Sequence, residues 1–445
     1  MDYSESKHLQ PGWSCCAKFT VSVTNSYDDS ICISQVAHHR FNEVESDWGF
    51  THFCKLKNLL EPIAPANRPI IENDSCKIKV EVEIMKDETG HLWQNYSNYD
   101  SKKETGFVGL KNQGATCYMN SLLQALFCTT YLRKAVFQIP TENEDPTKSV
   151  PLALQRVFYK LQTSETSVGT TELTKSFGWD TLDSFMQHDV QEFNRVLQDA
   201  LEAKMKNTKA EGAIQKLFVG EMKSFVKCVN VPYESSRVES FYDIQLNVKG
   251  KENLYESFKD YIQVEMLDGD NKYSADGFGL QDAKKGVIFK KYPPILHLQL
   301  KRFEYDMYKD AMVKINDKHE FPLSINLDEF LEEKPEVPQI YHLYGVLVHA
   351  GGVNGGHYNA FLRKPEFPQE GETKWMKFDD DKVTNVSENE AVNDNYGGEV
   401  EGQNLRSLRY KRFTNAYMLI YYRESDLPEI LGEMSENDIP KHLGK

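Results

Sequence analysis

No C-x-x-C pair occurs anywhere in the chain. Its eight cysteines, Cys15, Cys16, Cys32, Cys54, Cys76, Cys117, Cys128 and Cys228, are scattered over 445 residues. That spacing argues against a zinc ribbon and a dense disulfide framework, and for a reducing compartment, nucleus or cytoplasm. No run approaches the roughly 20 apolar residues of a spanning helix, so no membrane association is expected. The opening MDYSESKHLQ lacks the basic-then-apolar pattern of a signal peptide. Basic charge is in deficit, with Lys+Arg 52 against Asp+Glu 67 and a net charge of −15. An acidic chain repels phosphate backbones, which argues against nucleic acid and for a partner with a basic surface. Internal repeats and low-complexity tracts are also missing.

What is present reads as folded protein, 40% hydrophobic and 12% aromatic, and long enough for about three domains. Residues 13–94 alternate apolar and polar residues in WSCCAKFTVSVTNS and CKIKVEVEIM, the pattern of half-buried strands. Residues 95–105, NYSNYDSKKET, are polar and turn-prone and mark a boundary. Helical spacing dominates from Phe107 to about residue 206, in LLQALF, VPLALQRVFYKLQ and HDVQEFNRVLQDALEAKM. Asp189 and Glu192 stand three apart, as in a capping box. Strand-like stretches follow from about 213 to 425, with FVGEMKSFVKCVNV, ESFYDIQLNVKG and YIQVEML read as strands. Residues 1–12 stay unassigned, and 426–445 read as a short, loosely attached helical tail.

The stretch GLKNQGATCYMNSLLQALF runs from a glycine-containing turn into an apolar helix, with Cys117 at the junction. A helix N-terminus stabilises negative charge and so favours a thiolate. The same N–H groups can hold an oxyanion, and Asn112, five residues earlier, offers a side-chain amide for that purpose. A nucleophilic cysteine needs a base. His357 follows Gly355-Gly356 and opens the alternating strand HYNAFL, while WMKF ends in Asp379-Asp380-Asp381. If these two strands pair, an aspartate at the end of one reaches the imidazole on the other and orients it. Taken singly, Cys117 also fits a small buried hydrophobe, His357 a loop histidine and the aspartates a solvated turn.

These segments resemble the ubiquitin-specific protease family. GLKNQGATCYMNSLLQAL is similar to its cysteine box, and GGHYNAFL with WMKFDDDKV to its histidine box. SFGWDTLDSFMQHDVQEF, VEMLDGDNKY and PPILHLQLKRF extend the resemblance over about residues 106–425. It implies an α+β, papain-like fold built as thumb (107–212), fingers (213–290) and palm (291–425). It implies Cys117 as nucleophile, His357 as general base, Asp379 as third triad member, Asp380 in support, and Asn112 in the oxyanion hole. The substrate would be a protein carrying ubiquitin through an isopeptide bond. Asp189 and Glu192 would hold the arginines of the ubiquitin tail, and His297, Phe303, Tyr305 and Tyr358 would line its channel. Core packing is the other reading of these aromatics. WDTLDSF, 179–185, would sit beside the groove as a gate. Many members bind zinc through two C-x-x-C pairs in the fingers; only Cys228 stands there, so no metal and no other cofactor is expected. Residues 13–94 resemble the later portion of a MATH (TRAF-like) domain, a partial antiparallel β-sandwich that binds peptides. Asp47-Trp48 would be its peptide site, with Trp48 as a core anchor the alternative. A ubiquitin-binding scaffold and a general papain-like peptidase are the competing functional readings.

Overall fold

A helix that is apolar on every side must be surrounded by protein. CYMNSLLQALFC is such a sequence, and in the computed structural model the helix Cys117–Cys128 is buried at all 12 residues. The residues described are 13–42, 48–50, 53–62, 66–87, 99–113, 116–178, 190–353, 355–364, 375–400, 410–411 and 413–444. They form two units, divided near residue 100.

In the first unit the strand Ser14–Asn25 lies between Cys32–Asn42 and Cys76–Met85, antiparallel to both. Asn25, fully buried, ends the central strand: its Oδ1 accepts the N–H groups of Tyr27 (2.7 Å) and Asp28 (3.0 Å). Its Nδ2 donates to the Pro69 carbonyl and to Glu72 at 2.7 and 2.8 Å. Among the described residues the strand Cys76–Met85 pairs on one side only, and its alternation does not produce the half-buried strand expected. Ile78, Val80, Val82 and Ile84 share one face and are all exposed, Ile78 to 72%. Among the described residues the expected partial sandwich is a single sheet. Lys77, Lys79, Glu81 and Glu83 alternate along the same edge, a charge pattern that discourages edge pairing.

In the second unit the helices Thr130–Phe137, Val150–Thr163 and Val190–Met205 share one apolar cluster with the central helix. The Val150–Thr163 helix starts as its sequence demands. Ser149 Oγ accepts the Leu152 N–H at 3.3 Å, and Pro151 occupies the first turn, where its missing N–H costs nothing. Beyond lies the sheet with the order Lys382–Val386, Trp375–Asp379, Gly355–Arg363, Ile340–Gly352, Thr414–Arg423, Ile295–Lys301, Ile244–Asn247. Its middle strands are continuous apolar runs because both faces are covered. In Thr414–Arg423, Met418, Ile420 and Tyr422 face the helical cluster, while Leu419 and Tyr421 face a second cluster on the other side. Arg302 is fully buried beside this sheet. Its guanidinium donates to the carbonyls of Ala416 (3.2 Å), Ile315 (3.2 Å), Asp317 (2.6 Å) and Tyr396 (3.1 Å). A separate antiparallel sheet is ordered Glu234–Phe241, Gly220–Cys228, Ala283–Lys291, Glu265–Leu267, with Cys228 buried at the end of its strand.

Two expectations change. Leu254–Tyr261 is a helix where only strands were read. Asn253 Oδ1 accepts the Glu256 N–H at 3.0 Å, and Leu254 and Phe258 bury one stripe, a cap and spacing the strand pattern around it obscured. The C-terminal residues are not a loosely attached helix. Only Leu427–Ile430 is α-helical, and Ile430 is buried while Leu427, Leu431, Met434, Ile439 and Leu443 pack on the helical cluster.

One close approach joins the helical region to the sheet. Leu110 N–H donates to the Asp380 carbonyl at 2.8 Å. A Cβ on Gly109 would lie 2.3 Å from that oxygen and from the Asp381 carbonyl carbon, inside hard contact. Gly109→Ala should therefore cost about 1–3 kcal/mol, as overpacking does. Gly169→Ala, with nothing within 4 Å of the added methyl, is the control. Thermal unfolding decides it: a Tm several degrees lower for the first alone is expected, and equal values would show that the contact yields freely.

Candidate active site

Three elements converge where the central helix meets the sheet. Cys117 is the first residue of its helix and is buried at 7% exposure. Its expected place at a turn-to-helix junction is thus observed, with Gly114 of the turn outside the described residues. His357 lies in Gly355–Arg363, directly across from Ala350 of Ile340–Gly352. Asp379 ends Trp375–Asp379, which pairs antiparallel with the histidine's strand through Ala360↔Phe378 and Phe361↔Lys377. The strand pairing the sequence requires is present.

His357 Nε2 and Asp379 Oδ1 are 2.6 Å apart. The other oxygen, Asp379 Oδ2, accepts from Lys377 Nζ at 2.6 Å. The hydrogen bond to Asp379, then one with Cys117, pushes the His357 pKa up to about 10 against the opposing effect of partial burial. Burial would raise the Asp379 carboxyl, yet its hydrogen bond from His357 and the nearby Lys377 ammonium hold it well below the usual carboxylate range. At neutral pH the ring is an imidazolium. It faces the buried Cys117 thiol at the start of its helix.

Asp380 turns the other way. Its backbone adopts φ +49°, a left-handed conformation that aspartate tolerates, so successive carboxylates leave the chain on different sides. Asp380 Oδ2 accepts from Asn112 Nδ2 at 2.8 Å and Oδ1 from Asn120 Nδ2 at 2.9 Å. The Asn112 carbonyl oxygen lies 3.4 Å from Thr116 N and Oγ1, so its amide faces are assigned. Asn120 and Lys377 were not singled out from the sequence. Asn120 sits one turn after Cys117 on the same helix, and Lys377 two residues before Asp379 on the same face of its strand. Those two spacings were the available signals. His357, Asp379 and Asp380 bring one ligating atom each within 4.8 Å of the others, a spacing open to a cation. The carboxylate oxygens accept instead from His357, Lys377, Asn112 and Asn120.

The expected channel residues divide. Phe303 and Tyr358 converge on His349, with ring centroids 5.2 and 4.8 Å from it, and both contact Tyr417. Tyr305 is exposed on the hairpin of Phe303–Asp306 and Ala311–Lys314, its hydroxyl bonded to Asp310. His297 is 1% exposed and lies in the interior. Its Nδ1 is 3.0 Å from Asn194 Nδ2, its ring packs on Phe218, and burial brings its pKa down to about 4. For His297 the core-packing alternative describes the observed position. Glu192 is exposed in the first turn of Val190–Met205. Asp189, the capping-box reading, the 179–185 segment and Asp47 lie outside the described residues. Trp48 is 54% exposed and stacks on His39 at 4.3 Å, so it is no buried core anchor. One turn along the helix from Glu192, Arg195 pairs with buried Asp243 (Nε–Oδ2 3.0 Å) at a cavity of about 580 Å³.

A helix-borne thiol set against a sheet-borne histidine and aspartate defines the papain-like class of cysteine hydrolases. The chain belongs to the ubiquitin carboxyl-terminal hydrolase family, whose model matches residues 108–421, preceded by a MATH domain match over residues 3–82. It is 55% identical over 435 residues to ubiquitin carboxyl-terminal hydrolase 15 of Schizosaccharomyces pombe, covering 97% of this chain and 38% of the relative. Ubiquitin C-terminal hydrolase 13 of Arabidopsis thaliana is 52% identical over 456 residues, covering 100% and 40%. Ubiquitin carboxyl-terminal hydrolase 7 of Drosophila melanogaster is 48% identical over 435 residues, covering 97% and 37%. The chain thus spans about two fifths of the length of these relatives.

Asp379→Asn tests the electrostatics. It removes the largest cause of the raised His357 pKa, so the imidazolium should lose its proton at lower pH, with the midpoint falling by roughly 1–3 units. An NMR titration of the His357 ring reads this directly, and an unmoved midpoint would mean that another group holds the charge.

Proposed function

We propose that the chain is a deubiquitinating thiol hydrolase that cleaves the isopeptide bond after the C-terminal glycine of ubiquitin on protein substrates. The observation that carries this reading is the 2.6 Å His357–Asp379 contact placed against Cys117 at the start of its helix. The Cys117 thiolate attacks the glycine carbonyl carbon. The imidazolium of His357 gives its proton to the departing lysine amine, leaving a thioester on Cys117. Water then attacks the thioester while His357 takes its proton, and the thiolate leaves. Asp379 keeps the ring oriented and stabilises its charge. The Cys117 backbone N–H and the Asn112 amide stabilise the oxyanion, with Asp380 fixing the amide's orientation.

The ubiquitin tail would approach past Phe303 and Tyr358, with Asp189, Glu192 and Tyr305 as further contacts. A carboxylate on the exposed first turn of a helix suits an arginine, and bidentate pairing adds direction to that contact. Peptide partners would dock at the MATH region near Asp47 and Trp48. An exposed tryptophan ring offers apolar area to such a ligand.

Hydrolysis of a fluorogenic amide of the ubiquitin C-terminus by the unmodified chain and by Cys117→Ala tests the mechanism. The variant should lose turnover by a factor of about 1,000 or more while still binding ubiquitin. Cleavage by both would refute the thiol mechanism, and casein digestion without ubiquitin cleavage would favour a general peptidase.

A further inference from the structure

One half-buried lysine next to the site has no part in the chemistry above. Lys314, the last residue of Ala311–Lys314, pairs with Phe303 across its hairpin. Its Nζ lies 2.8 Å from His349 Nδ1, 2.9 Å from the His349 carbonyl, 3.0 Å from the Gly351 carbonyl and 2.7 Å from the Phe413 carbonyl. An ammonium has three hydrogens, so four acceptors use all of them with one shared. Nothing is left over for nucleophilic work. Burial, then the nearby Arg302 guanidinium, brings the Lys314 pKa down to about 7. The four acceptors offset that cost for the protonated form.

The residues it grips matter by position. His349 and Gly351 stand on either side of Ala350, and Ala350 is the cross-strand partner of His357. Lys314 therefore holds the carbonyl on each side of the position that faces the base. The His349 ring is buried, and burial, then Lys314, then His357 push its pKa down to about 4, so it is neutral. With Nδ1 accepting from Lys314, the ring proton belongs on Nε2. That nitrogen abuts Gly356, where a Cβ would stand 2.3 Å from it. His349 is thus a neutral wedge between Lys314 and the residue preceding His357.

We propose that Lys314 is a positioning residue for His357, acting through His349 and the carbonyls flanking Ala350, and that it also ties the Phe303–Lys314 hairpin to the strand end that faces the base. The proposal rests on Cys117 and His357 forming the reactive pair. Its test separates the two claims. Alkylation of Cys117 by iodoacetamide is followed against pH, with the modified peptide read by mass. The unmodified chain supplies the reference profile. Lys314→Met, similar in length and without donors, should slow alkylation of Cys117 at neutral pH by about tenfold or more. It should also lower kcat on the ubiquitin amide by about tenfold or more, because misplacing a catalytic group by an ångström is that costly, and change KM little. An unchanged alkylation profile with a raised KM would overturn the proposal and leave Lys314 a wall of the substrate groove. An unmodified chain in which iodoacetamide leaves Cys117 untouched, without ubiquitin cleavage, would instead remove the reactive pair itself. Should the variant fail to fold, ¹⁵N NMR of the unmodified chain decides. A neutral His349 protonated at Nε2 supports the clamp, and one protonated at Nδ1, which has no lone pair for Lys314, refutes it.

Discussion

The site depends on the turn at Asp380-Asp381. Gly109 touches the turn's backbone, Leu110 donates to its first carbonyl, and Asn112 and Asn120 both bond the Asp380 side chain. Through these contacts the end of one strand is fixed against the start of the central helix. Asp379, one residue before the turn, is thereby held where His357 meets both it and Cys117. Hydrogen bonds to an ionised carboxylate contribute about 1.5–3 kcal/mol each. Two of them on Asp380, with a backbone approach that only glycine permits, outweigh the conformational freedom of a short loop.

The strands supply direction and the helix supplies the field. His357 and Asp379 sit on paired antiparallel strands, so their separation follows from register. Cys117 stands at the positive end of a helix whose every residue is buried. Charge is arranged around them in the same economical way. Arg302 and Lys314 are cations enclosed largely by backbone carbonyls, and each joins segments distant in sequence. Carbonyls supply these groups with acceptors without adding an opposing charge near Cys117 and His357.

Much of this was readable in advance, and the exceptions share a cause. Cys117 at the head of an apolar helix, and His357 and Asp379 on adjacent strands, follow from local pattern. The helix Leu254–Tyr261 was hidden because its few apolar residues sit among strand-like neighbours, while its cap at Asn253 is a single residue. The C-terminal residues looked loose because Leu427, Ile430, Leu431 and Leu443 lack a steady period, and only the cluster they meet shows why they are apolar. His297 was placed with the channel aromatics, yet Asn194 and Phe218 enclose it. The strand Cys76–Met85 alternates as a half-buried strand does, and its apolar face is exposed among the described residues.

By itself the sequence carried the mixed helix-and-strand class, the motifs that resemble the family, and a thiol, an imidazole and carboxylates suited to the proposed site. These are properties of local composition and spacing, which need no knowledge of distant contacts. Only the tertiary structure decided that Asp379 faces the histidine while Asp380 faces Asn112 and Asn120, and that Lys314 grips the strand behind His357. Those choices rest on a left-handed residue, a strand register and carbonyls contributed by segments far apart in the chain, and such distances exist only once the chain has packed.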